Sequence, residues 1–186
     1  MTDATGTTPP PIPPDDKDWT WVLDRACPEC GFEAGAFPRE QVGEMLRNNI
    51  DEWVDVLQSP DDALRRRPAP DVWSPLEYAA HVADVFAIYR QRLQLMLDDD
   101  GPHYPNWDQD ESAVQRRYDL MNPVAVAGHL IDEGTRLADL FDTVDGDQWD
   151  RTGFRSDGAS FTIETFARYF IHDPIHHLHD IANAAR

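Results

Sequence analysis

The chain has 186 residues, with 35 acidic side chains against 16 basic ones, a formal net charge of −19 and 41% hydrophobic residues. That acidity excludes sequence-independent nucleic-acid binding, which needs a basic face to displace phosphate counterions, and it disfavours docking on anionic lipid. No run approaches the roughly 18 apolar residues of a membrane helix and no basic-then-apolar leader opens the chain, so the expectation is a cytoplasmic protein with neither nucleic acid nor membrane as partner. A small-molecule substrate and a homodimer are separate expectations that composition does not supply.

Residues 1–16, MTDATGTTPPPIPPDD, hold five prolines and few apolar side chains. Such a segment buries too little surface to offset its ordering entropy, so it reads as a short disordered N-terminal leader, with residues 17–186 forming a single domain. An aromatic stretch, Trp19 to Leu23, follows, and then Cys27-Pro-Glu-Cys30-Gly31. Helical periodicity begins at about Pro38 and continues to Gln58 through Val42, Leu46, Ile50, Trp53 and Leu57. Ser74-Pro75-Leu76-Glu77 combines an N-cap serine, a proline at the first helical position and a glutamate three residues after the cap. This predicts a second helix running to about Leu97. A shorter helix is expected around 108–120. Asn122-Pro123 starts a third long helix, reaching Phe141, and a fourth spans about Thr162 to Ala184. No pair of alternating β-branched runs is joined by a hairpin signal, so strands are not expected. Four long amphipathic helices with sizeable connections predict an all-α chain, a four-helix bundle with at least one crossover.

Seven histidines are present, and His172, His176, His177 and His179 lie within eight residues. His172 and His176, four apart, share one helical face, a spacing that lets two imidazoles converge on one ion. Pro174 between them removes a backbone donor and predicts a kink or widened turn. Two histidines rarely complete a site, and His81, on an otherwise apolar or small stretch of the second helix, is the best third ligand. Three neutral imidazoles with an open fourth position describe a catalytic rather than a structural site, and zinc, nickel or iron(II) suits such ligation. Glu77, Asp84, Asp173 and Asp180 lie within a turn of these histidines and would orient their rings. The plain alternative is that the histidines are solvated or packed, which is the reading given to His103, His129, His177 and His179.

The segments Trp73-Ser74-Pro75-Leu76-Glu77-Tyr78-Ala79-Ala80-His81 and Tyr169-Phe170-Ile171-His172-Asp173-Pro174-Ile175-His176-His177 resemble the DinB/YfiT-like superfamily of metalloenzymes. In that superfamily a Trp-Ser/Thr-x-x-Glu-x-x-x-His segment opens the second helix, and a His-x-x-x-His segment near the C-terminus supplies two further ligands. By position the resemblance implies the triad His81, His172 and His176, and a DinB-like bundle of up-down-down-up connectivity from about residue 38 onward. It also implies a metal-dependent S-transferase, isomerase or hydrolase, in many members dependent on a low-molecular-weight thiol such as mycothiol. The doubled His176-His177 leaves a shifted register open, in which Asp173 pairs with His177 on the next face. A non-enzymatic, metal-stabilised bundle serving binding or stress response is the alternative function.

Cys27-x-x-Cys30 is half of a zinc-ribbon-like site, but the chain has no other cysteine. A four-ligand centre would therefore need two histidines or carboxylates, and a reduced turn closed by Gly31 is the simpler reading. Arg151 and Arg155, ahead of the fourth helix, would fork onto a carboxylate of a thiol or substrate, or pair with surface acids.

Overall fold

A computed structural model describes residue 12 and residues 17–184, so the expected leader, Ile12 apart, lies outside the described residues. Helix α1 runs Val42–Leu57 behind a single 3-10 turn at Arg39–Gln41, and α2 is one turn, Asp61–Leu64. Helix α3 spans Pro75–Asp98, α4 Gln109–Arg116, α5 Pro123–Asp142 and α6 Ile163–Ala184. The starts of α3 and α5 follow the local signals. Ser74 Oγ accepts from the Glu77 amide and Glu77 Oε2 from the Ser74 amide, while Asn122 caps the Val124 and Ala125 amides.

The four long helices form a four-helix bundle in which α5 packs extensively on both α1 and α3, direct packing of α1 on α3 is slight, and α6 closes the remaining side. Leu46, Ile50 and Trp53 meet Phe86 and Leu93, Leu130, Leu137 and Phe141, and Phe166 and Phe170 in one core. Close approach of α5 depends on Gly134, where an added Cβ would lie 2.6 Å from Ile50 Cδ1 and 2.8 Å from Phe86 Cδ2.

The chain is not purely helical. Strands β1 (His103–Tyr104), β2 (Thr152–Arg155) and β3 (Ser160–Thr162) form a small sheet, β1 parallel and β3 antiparallel to β2. Strands of two to four residues are too short to show alternation, and β1 finds β2 only because the bundle brings residues 103 and 154 together.

Helix α6 continues through Pro174 without interruption. The proline costs one amide donor, and α1 anchors the region instead: Asn49 Nδ2 and Trp53 Nε1 both donate to the Pro174 carbonyl, at 3.3 and 3.2 Å. The N-terminal segment lies against α6 through two 3-10 turns, Trp19–Leu23 and Ala34–Ala36. Between them the Cys27–Gly31 turn is closed by the Gly31 amide donating to the Cys27 carbonyl at 2.8 Å, with Gly31 at φ +75° where glycine alone is unstrained.

Candidate metal centre

One turn beyond its capping box, α3 delivers His81 into the protein with no exposed surface. Its ring stacks on Trp107 at 5.5 Å and 7° and packs 5.1 Å from both Trp73 and His177. Across from it stand two side chains of α6, four residues apart and therefore on one face. His81 Nε2 lies 3.5 Å from the Asp173 carboxylate, and His177 Nε2 lies 3.7 Å from Asp173 Oδ2. Asp180 Oδ2 takes the other nitrogen of His177, Nδ1, at 3.0 Å, which fixes the ring with Nε2 toward Asp173.

Two buried polar atoms of this group, His81 Nδ1 and Asp173 Oδ1, have no hydrogen-bond partner. A buried unsatisfied group costs about 1–3 kcal/mol, so its presence here asks for a reason. Burial pushes the Asp173 carboxyl up, but the His177 and His81 imidazoles outweigh it and hold the group at about 2. The carboxylate is thus ionised at neutral pH and available as a hard oxygen donor. A tetrahedral ion with metal–nitrogen and metal–oxygen bonds of about 2.0–2.2 Å spaces its donors about 3.4 Å apart, close to the separations observed. The donor set, two imidazoles and one carboxylate, leaves a fourth position to water or substrate.

His172 and His176 do not join this group. They occupy the neighbouring face of α6, where His176 Nδ1 lies 3.6 Å from Cys27 Sγ and His172 Nε2 lies 3.7 Å from Cys30 Sγ. Burial, reinforced by the His176 imidazole, lowers His172 to about 4, so its ring is neutral at pH 7. Burial likewise lowers His176 and, on the sulfur side, pushes the Cys30 thiol up to about 11. Of the expected triad, then, the structure sets His81 with Asp173 and His177, and His172 with His176 and the two cysteines. The reason is angular. Adjacent residues on a helix differ in direction by about 100°, so the pair at 172 and 176 and the pair at 173 and 177 face different neighbours.

Other expected participants have different employment. Glu77 is 3% exposed and tied up by the Ser74 amide and by Arg67, whose Nε donates to Glu77 Oε2 at 2.9 Å. Asp84 is three residues beyond His81 but turns to Arg116 and the Tyr118 hydroxyl, with His129 3.6 Å away. Neither orients the His81 ring. Arg155 pairs with Asp157 at 2.9 Å and lies beneath Phe161 and Tyr169. It lines a cavity of about 910 Å³ whose wall also includes Arg92, Trp107, Tyr169, Asp173 and His177. Pattern alone gives no signal for Trp107 or Arg92, whereas Asp180, expected to orient an imidazole, lies 3.0 Å from His177 Nδ1.

A four-helix bundle that gathers a buried histidine and a half-buried aspartate and histidine beside a cavity defines a class of helical proteins with a group of side chains that could hold a metal. The chain belongs to the DinB superfamily, whose sequence model matches residues 43–181. Its fold is similar to that of YfiT from Bacillus subtilis, described as a probable metal-dependent hydrolase with an unusual four-helix bundle topology. The TM-score is 0.61 at 20% identity, over 89% of this chain and 84% of that one. It is also similar to two crystal structures of the mycothiol-dependent maleylpyruvate isomerase, one a mutant, with TM-scores of 0.64 and 0.62 and identities of 13% and 16%. In both cases 80% of this chain aligns with 62% of the isomerase. No curated protein matches the chain in sequence. Among the described residues no helix is long and apolar enough to cross a membrane.

Proposed function

We propose that this protein is a metal-dependent enzyme in which His81, Asp173 and His177 hold a divalent ion, zinc or nickel, and in which a low-molecular-weight thiol such as mycothiol reacts with an electrophilic substrate. The reading carries over from the thiol dependence of the isomerase and the metal dependence ascribed to YfiT. The observation that carries it is the convergence of His81 Nε2, His177 Nε2 and the ionised Asp173 carboxylate, at 3.5 and 3.7 Å, on one spot beside a cavity. Hydrolysis, with water in place of the thiol, is the variant of the same chemistry. The ligand register is the shifted one; the triad with His172 and His176 would require α6 to turn by about one residue's angle, out of the seat fixed by Asn49 and Trp53.

An ion held by His81, Asp173 and His177 would lower the pKa of a bound thiol or water and so supply a nucleophile near neutral pH. The protein's own residues do the rest. Asp180 holds His177 by Nδ1, and Trp107 stacked on His81 keeps that ring in plane and away from bulk water. Arg92, only 6% exposed and donating to the Pro105 carbonyl at 2.8 Å, and Arg155, paired with Asp157, place two guanidinium groups on a cavity wall that also carries Asp18, Asp108 and Asp110. Guanidinium groups so placed receive a carboxylate, either of the thiol or of the substrate, and orient it toward the ion site. We place the reaction in the cytoplasm, where free thiols persist.

The test is metal analysis and thiol-dependent turnover on protein purified without chelators. His177→Ala and Asp173→Asn should each lose one equivalent of metal and all thiol conjugation of an electrophilic bimane probe. Unchanged metal content in both variants would overturn the assignment of ligands. A chain that keeps the ion and neither conjugates nor hydrolyses would be the non-enzymatic bundle instead.

A further inference from the structure

We propose that the chain holds a second metal ion, a structural zinc bound by Cys27 Sγ, Cys30 Sγ, His172 Nε2 and His176 Nδ1, which pins the N-terminal segment to α6. Four donor atoms from these residues lie within 4.8 Å of one another. Zinc–sulfur and zinc–nitrogen bonds of about 2.3 and 2.0–2.1 Å in a tetrahedron put sulfur and nitrogen about 3.6 Å apart. The two cross-pairs stand at 3.6 and 3.7 Å. Cys-x₂-Cys with His-x₃-His is also the spacing seen in closed Cys₂His₂ sites, and the ligands come from segments more than 140 residues apart in the chain.

The surroundings are those of a bound cation rather than of two idle thiols. Both cysteines are reduced and Cys27 is 1% exposed. The outward nitrogen of His176, Nε2, faces Glu29 at 3.4 Å and Asp180 at 3.6 Å, the carboxylates that orient a ligating imidazole. Trp19 covers the other side, its ring 5.7 Å from His172 and 5.4 Å from His176. Binding replaces one proton on each thiol, so each ion taken up releases two protons and no oxidant is involved. Four protein donors leave no open position, which separates this site from the three-donor group on the next face of α6. The proposal stands whether or not that group is catalytic.

Cobalt(II) exchanged into the metal-loaded full chain should give a thiolate-to-cobalt charge-transfer band and intense tetrahedral ligand-field bands. The double variant Cys27→Ser, Cys30→Ser should lose those bands and one equivalent of metal, while His81→Ala keeps the bands. His172→Ala should lose the ion and His172→Cys restore it with three thiolates. In the loaded wild type both thiols should resist a thiol reagent, and both should react after chelation; this readout holds even where a cysteine variant fails to fold. A cobalt-loaded protein without the thiolate band, a double variant with unchanged metal content, or an isolated protein two hydrogens lighter through a Cys27–Cys30 disulfide would each overturn the proposal.

Discussion

Replacing Glu77 by alanine separates a capping role from a metal-site role. The carboxylate is 4% exposed and its partner Arg67 16%. It accepts from Arg67 Nε at 2.9 Å and from the Ser74 amide at 2.9 Å, so a single truncation strips a nearly buried ion pair and half of a capping box. Removing one partner of a buried pair costs about 3–5 kcal/mol, and the partial exposure of Arg67 argues for the lower end. Loss of the cap adds about 1 kcal/mol. A total of about 4 kcal/mol corresponds to a fall in Tm of about 8–16 °C for a chain of this size. Glu77→Gln retains reach to the Ser74 amide and should lose about half as much, since glutamine also serves at this position of the box. Thermal unfolding followed by circular dichroism gives the shift, and metal titration of the folded protein gives the affinity of the His81 group, expected to be unchanged. A Glu77→Ala protein with an unaltered Tm and a lost ion would refute the reasoning, because Glu77 would then act on the site and not on the helix start.

Three further outcomes follow from single contacts. Asp180→Asn removes the carboxylate that holds His177 Nδ1 at 3.0 Å, and metal affinity of that group should fall about 10–100-fold in a competition titration. Gly134→Ala forces a methyl to within 2.6 Å of Ile50 Cδ1 between α5 and α1, which should destabilise by about 1–3 kcal/mol in urea unfolding; a neutral result would mean the helices separate at little cost. Asn122→Ala frees the Val124 and Ala125 amides at the start of α5, and about 1 kcal/mol of stability should go with them, visible as earlier hydrogen exchange in the first turn.

Helix starts were readable because their signals are local. Ser74-Pro75-Leu76-Glu77 and Asn122-Pro123 place the cap within three residues of the amides it satisfies, and the observed helices begin at Pro75 and Pro123. The apolar spacing of Leu46, Ile50 and Trp53, or of Leu130, Leu137 and Phe141, likewise records which face must leave water, and all six side chains lie in the core. Strand β1 escaped notice because its partner lies about fifty residues away, and β2 and β3, which pair locally as a hairpin, are too short to show alternation.

The histidine cluster marks where sequence stops deciding. From composition and spacing alone α6 carries donors at 172, 173, 176 and 177, two i,i+4 pairs on adjacent faces; the pattern favours the two imidazoles at 172 and 176, but nothing within the helix fixes which face meets which neighbour. Only the packing of α6 chooses. Asn49 and Trp53 of α1 seat the Pro174 carbonyl, and that rotation turns Asp173 and His177 toward His81 and turns His172 and His176 toward Cys27 and Cys30. The sequence by itself determined an acidic helical bundle, its caps and its supply of metal-binding side chains, since each is set by residues close together in the chain. Which donors meet was left to tertiary structure, because a shared ion site depends on angles between elements that no local pattern encodes.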